Sequence, residues 1–195
     1  CVVHYCIGYL SNHGDVTFLP PCHYKCSCGD LIHRSIGIEQ FALSSQKDGS
    51  MTNVIFIHGL GQTPASWDKT VASLSEHITA DYVNLSSIRK NGEVTYKNMY
   101  CAFEKYCEEI AELLNLCGIS LGAILALNYA IDHAEKVRSL VLIAPQYKMP
   151  RLLLKLQNVI FFFMPKTYFR KLNFTKKEFI CLVNSMFGLE FHNDL

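Results

Sequence analysis

Leu114-Asn115-Leu116-Cys117-Gly118-Ile119-Ser120-Leu121-Gly122-Ala123 is the stretch on which the reading of this chain turns. Its first four residues form a short apolar run, the pattern of a strand buried on both faces of a parallel sheet. Ala123 to Ala130 continues as a nearly all-apolar segment, the pattern of a buried helix. Between them Ser120 sits with Gly118 and Gly122 two residues away on either side. A strand that turns sharply into a helix needs this arrangement, because glycine lets neighbouring backbone approach where a Cβ would clash. The serine at such a turn is held with its hydroxyl above the sheet. The helix behind it aims free amides and a positive dipole end at any charge developing on a nearby oxygen. A tight strand-to-helix turn with an idle serine is the competing reading.

Working outward, strands and helices alternate. Val54-Ile55-Phe56-Ile57 is a short continuous apolar run and predicts a strand. Trp67, Val71, Leu74 and Ile78 recur at helical spacing. Asp81 to Leu85 predicts a second strand. Phe103, Cys107, Ile110 and Leu114 mark one face of a second helix starting after Asn98. Leu114 to Cys117 is the third strand, and Val137 to Ile143 the fourth, ended by Ala144-Pro145. This βαβαβαβ order predicts an α/β fold: a parallel sheet covered by helices on both faces. Residues 148–190 lose the alternation and read as helices only. Within them Leu152 to Met164 is very apolar, but Lys155, Gln157 and Asn158 interrupt it and Pro150 and Pro165 bracket it. It is well short of the roughly 20 apolar residues that cross a bilayer, so it reads as a helix and not as a transmembrane segment.

Composition sets the class. Half of the 195 residues are hydrophobic and 18% are charged, as in a globular domain able to bury a sizeable core. The formal net charge is +1, so charge over the whole chain argues for neither a nucleic-acid partner nor an anionic membrane surface. Five of nine cysteines crowd the first 28 residues; the other four lie in apolar stretches, where a thiol behaves as a small hydrophobe. With no basic and apolar leader pattern, a reducing, cytoplasmic setting with free thiols is expected. Lys47-Asp48-Gly49-Ser50 is a linker signal followed by Met51. The domains expected are therefore an extension over 1–50, a core over 51–147 and a helical segment over 148–195. Residues 1–50 show little periodicity outside a strand candidate at Ile36 to Leu43, and read as disordered or upstream sequence. Cys22, His23, Cys26, Cys28 and His33 raise a zinc reading, but no second Cys pair stands at the customary separation, so no metal is expected.

Gly118-x-Ser120-x-Gly122 between a strand and a helix has the form of a nucleophile elbow. With Val54-Ile55-Phe56-Ile57-His58-Gly59-Leu60-Gly61, the helix start at Ser66-Trp67-Asp68 and Val141-Leu142-Ile143-Ala144-Pro145, residues 51–195 resemble an α/β-hydrolase. The branch resembled is the bacterial group of carboxylesterases and monoacylglycerol-lipase-like enzymes. The resemblance implies Ser120 as nucleophile of a serine esterase acting on a small-molecule ester without a cofactor. It implies an oxyanion hole from the Leu60 and Leu121 amides, shaped by Gly59, Gly61, Gly118 and Gly122. It also implies a helical cap over 148–190, with Leu152 to Met164 either lining an acyl site or packing on the core. His58 precedes the nucleophile, whereas the fold places its histidine after the last strand, so a loop-shaping role is expected of it.

The triad of this fold runs Ser, then Asp or Glu, then His. Pro145-Gln146-Tyr147 offers no carboxylate, and His192 and Asp194 lie with no strand to fix them. The expectation is a fragment, lacking Met at its start and its last strands at its end, with acid and base outside it. Such a chain is expected to leave a sheet edge unpaired and to be poorly soluble. An inactive fragment is thus the alternative from another class. Carbon–carbon hydrolase, lyase and thioesterase chemistry share the same elbow. Neither the substrate nor the oligomeric state can be read from the sequence.

Overall fold

The computed structural model describes residues 8–10, 16–18, 51–88, 93–146 and 148–188. The chain divides into two compact units, Cys1–Asn84 with Cys107–Pro145, and Leu85–Tyr106 with Gln146–Leu195. The first is built on a sheet of six strands: β1 (Gly8–Leu10), β2 (Val16–Phe18), β3 (Thr52–Ile57), β4 (Ile78–Val83), β5 (Leu114–Ile119) and β6 (Val137–Ile143). Their order across the sheet is β2-β1-β6-β5-β3-β4. β3 to β6 are mutually parallel, with Ile55 opposite Leu116 and Leu116 opposite Leu140, so the expected α/β fold is present.

Alternation along these strands fills both faces. Val54, Phe56, Cys117, Val141 and Ile143 are buried with Trp67 on one side, where the Phe56 and Trp67 rings lie 5.0 Å apart. Ile55, Ile57, Leu116 and Leu140 alternate to the other side and are equally buried. The helix after β5, Leu121–Asp132, packs against β3, β5 and β6 and buries Leu121 through Ala126, Tyr129 and Ala130. At the end of the strands remote from Ser120, buried Asn115 donates to the Asn53 carbonyl (2.9 Å) and accepts from the Ser139 hydroxyl, tying β3, β5 and β6 together. Naming helices in chain order, α1 is Asp68–Val71, α2 is Tyr96–Glu108 and α3 is Leu121–Asp132.

Several boundaries differ from the sequence expectation. The helix read over Trp67 to Ile78 is a 3-10 turn at Pro64–Trp67 followed by the single turn α1. The Ser73 hydroxyl bonds to the Thr70 carbonyl and closes that helix (2.8 Å), and Ile78 opens β4 instead. The second strand accordingly runs over Ile78–Val83, not Asp81 to Leu85. α2 starts at Tyr96, before the expected position after Asn98, because the Thr95 hydroxyl caps it by accepting from the Asn98 amide (3.2 Å). It ends at Glu108, so Ile110 and Leu114 do not share its face; Leu114 begins β5. Two strands also lie within residues 1–50, whose folding the sequence leaves open. The β6 edge, expected to be bare, carries β1, antiparallel with Tyr9 opposite Val141. The strand candidate at Ile36 to Leu43, the Cys22–His33 cluster, His192 and Asp194 fall outside the described residues.

In the second unit, α4 (Arg151–Phe163), α5 (Lys166–Lys171) and α6 (Lys176–Met186) pack together. Phe161, Phe169, Phe174 and Phe179 pack edge to face, with centroids 5.3 to 6.0 Å apart. The Asn158 amide donates to the Asn184 side chain (2.8 Å), joining α4 to α6. Thr175 and Glu178 form a capping box that starts α6. Among the described residues no helix is long and apolar enough to cross a membrane.

Candidate active site

The sheet unit brings two loops together at the C-terminal ends of β3 and β5, the end at which open α/β sheets place their ligands. One loop is the turn between β5 and α3. Ser120 stands there with φ 52° and ψ −114°, a left-handed conformation costly for any residue with a Cβ, and its side chain is exposed. Three contacts hold it. The Ser120 amide donates to the Ile143 carbonyl at the end of β6 (2.9 Å), and the Ser120 carbonyl accepts from Ile124 one turn into α3 (3.2 Å). The flanking glycines supply the third constraint through space, not through backbone angle. A Cβ at Gly118 would lie 2.4 Å from the Gly122 carbonyl oxygen, and one at Gly122 would lie 2.2 Å from that of Ile57. The turn closes only because both positions lack a side chain. Ala144, just after β6, is also in the left-handed region at φ 47°, so the segment that receives the Ser120 amide is strained as well.

The other loop is His58-Gly59-Leu60-Gly61, after β3. Gly59 backs directly onto the serine: a Cβ there would lie 3.2 Å from the Ser120 Cβ and 3.3 Å from the Ile119 carbonyl oxygen. The Gly59 amide is already taken, donating to the Gln62 side chain at 2.8 Å. Sequence reasoning passed over Gln62, and nothing in a loop glutamine signals that it will hold the amide of a residue three positions earlier. Gly61 has φ 71°, which turns the loop after Leu60. Among the described residues neither the Leu60 nor the Leu121 amide donates to a protein acceptor. For Leu121 the reason is general, since the first amides of a helix have no partner within it. The Ser120 amide, being bound to Ile143, is not a donor for anything else.

His58 is buried, and its Nδ1–H donates to the Gly59 carbonyl (2.9 Å). Burial lowers its pKa, against a smaller opposing effect from that hydrogen bond. A neutral imidazole that fixes the carbonyl of Gly59 shapes the loop. Cys117, one residue before Gly118, is fully buried and its thiol pKa is pushed up far beyond the usual range, so it is no competing nucleophile. Among the described residues, Cys101, Cys107, Cys117 and Cys181 form no disulfide. Among the described residues no cluster of His, Cys, Asp and Glu is arranged to hold a metal ion.

The sequence family described as serine aminopeptidase, S33 (Hydrolase_4) matches residues 91–185, a span that includes β5, the Ser120 turn, α3 and β6. Over this span, just under half of its length, the chain resembles the α/β-hydrolase family. Among curated proteins, the chain is similar to pimeloyl-[acyl-carrier protein] methyl ester esterase from Aeromonas hydrophila. The two are 28% identical over 106 residues, which is 53% of this chain and 41% of the relative. The protein of the same name from Vibrio cholerae is 27% identical over 107 residues (55% and 42%). That from Wigglesworthia glossinidia is 32% identical over 96 residues (47% and 36%). The chain thus spans about two fifths of the length of the curated relatives it matches. No solved structure matches it.

Proposed function

We propose that this chain is an α/β-hydrolase of the serine esterase kind, in which Ser120 attacks the carbonyl carbon of a small carboxylic ester. The observation that carries the proposal is the strained, exposed Ser120 at the β5–α3 turn, with a glycine on the neighbouring loop pressed against it. Strain of this kind persists only where the surroundings over-determine it, and it concentrates at reacting residues.

In this reading the serine hydroxyl gives up its proton as its oxygen bonds to the carbonyl carbon. The negative charge moves to the carbonyl oxygen, and the amides of Leu60 and Leu121 donate to it. Backbone donors of this kind need not reorganise during the reaction, and one is worth about a hundredfold or more in rate. As the tetrahedral centre collapses to an acyl-serine, the bond to the leaving oxygen breaks and that oxygen takes the proton removed from the serine, so it departs as the alcohol; water then hydrolyses the acyl-serine. By the chain order of the fold, the histidine that takes the proton and the acid that orients it come after Ser120. The same elbow serves thioesterase, lyase and carbon–carbon hydrolase chemistry; the names of the relatives favour the ester.

Hydrolysis of a short-chain 4-nitrophenyl ester tests the proposal. Ser120→Ala is expected to lower the rate at least about a thousandfold. Gly59→Ala, which presses a methyl group towards the Ser120 Cβ, is expected to lower it by a smaller factor. A rate untouched by Ser120→Ala would overturn the reading.

A further inference from the structure

The formal charge of +1 conceals an uneven distribution. Residues 148–188 hold eight Lys or Arg and a single carboxylate, Glu178. Glu178 is committed to the capping box of α6, where it accepts from the Thr175 amide (2.7 Å). The same stretch carries α4, a helix of 13 residues in which Leu154 is buried at 1% exposure. Leu152, Leu156, Val159, Ile160, Phe162 and Phe163 are instead 53% to 78% exposed. Leu152, Leu156, Val159 and Phe163 recur at offsets of four, seven and eleven, so they form one apolar stripe along the helix.

The positive charges frame that stripe. Arg151 and Lys155 are exposed in its first turns, and Lys166 and Arg170 are exposed just beyond its end. Lys176 reaches back from α6 to donate to the carbonyls of Phe162 and Met164, with its ammonium 5.3 Å from the centre of the Phe162 ring. Cations therefore stand at both ends of the exposed Leu and Phe side chains. A contiguous exposed apolar face on a soluble surface marks an interaction site. One made of Leu and Phe, flanked by Lys and Arg and too short to span a bilayer, has the composition of a helix that lies in the plane of a membrane interface.

We infer that α4 docks on an anionic lipid surface, with its apolar stripe at the acyl boundary and its flanking Arg and Lys at the level of the phosphates. The stem of each long cationic side chain lies along apolar surface while its head stays with the phosphates. Anionic headgroups attract the surplus of positive charge, and salt screens that attraction. The inference concerns the surface on which the protein works and is independent of the role of Ser120.

Co-sedimentation of the whole chain with sucrose-loaded vesicles tests it. Vesicles of equal parts phosphatidylcholine and phosphatidylglycerol are expected to bind the protein about tenfold or more tightly than phosphatidylcholine alone, and high salt is expected to narrow the gap. The paired changes Leu156→Ser with Phe163→Ser, and Arg151→Glu with Lys155→Glu, are each expected to weaken binding about tenfold. All four residues are exposed, so far-ultraviolet circular dichroism and the unfolding midpoint should be retained. Ser120→Ala should bind vesicles as the unaltered protein does, which separates this result from the fate of the esterase reading. Binding that is absent on both vesicle types, or that survives both paired changes, overturns the inference. So does a dimer that Leu156→Ser with Phe163→Ser converts to monomer while vesicle binding is unchanged, which would assign the stripe to a second copy of the chain.

Discussion

α3 and α4 are apolar helices of nearly equal length, 12 and 13 residues, and they meet opposite fates. α3 buries eight residues, including Gly122, Ala123, Ala126 and Ala130. α4 buries one. The difference lies in the size and setting of the side chains. Small residues let α3 lie almost on the backbone of the sheet, close enough that a single added methyl at Gly122 would collide with the Ile57 carbonyl. α4 is a run of Leu, Ile and Phe with cations at both ends; it buries Leu154 and touches its own unit through Asn158, Phe161 and Phe162, and leaves the rest of its bulk exposed. Apolar content alone therefore does not decide burial; the helix that must pass close to backbone is marked by glycine and alanine.

Gly122→Ala is expected to have the largest effect on the packing of α3. The clash is with backbone, which cannot swing aside, so a loss of about 4 kcal/mol, or failure to fold, is expected in urea unfolding. Leu125→Ala, at a fully buried position of α3, is expected to cost about 3 kcal/mol by the same measurement.

The third effect is one of pH. His58 sits neutral at the end of β3 with its pKa lowered by burial from the ordinary 6.5. The unfolded chain takes up a proton near that ordinary value, whereas the folded chain resists it. The contribution of His58 is therefore complete above about pH 6.5 and is lost as pH falls below it. His58→Gln should flatten this part of the stability profile between about pH 7 and pH 5. The smallest effect is expected at Leu156→Ala on α4, within about 0.5 kcal/mol of the unaltered protein. A cost there comparable to that at Leu125 would show that α4 is buried after all.

The parts of the fold that were legible are those with continuous apolar runs. β6 lies where Val137 to Ile143 places it, and β5 runs into α3 through the Gly118–Gly122 motif. β4 was read three residues late because it is the outer strand of the sheet. Its exposed Thr79, Asp81 and Tyr82 break the apolar run that marks a buried strand. Leu74 and Ile78 kept helical spacing with Trp67 by coincidence, one falling in a turn and the other in a strand. β1 and β2, at three residues each, are too short to display any alternation. At the candidate site the glycines were legible because their spacing follows from steric demand. The capture of the Gly59 amide by Gln62 and that of the Ser120 amide by Ile143 were not, since both depend on loop paths that no local pattern encodes. The formal charge of +1 also averages over the basic surplus of residues 148–188, which only a count by segment brings out.

If the strained serine of the β5–α3 turn is the nucleophile, it is the residue that a serine-reactive phosphonate labels. Peptide mass mapping after treatment with a fluorophosphonate tests this most directly. A single phosphonyl adduct is expected on the peptide containing Ser120, absent in Ser120→Ala. An adduct on another residue, or one that persists in Ser120→Ala, would contradict it.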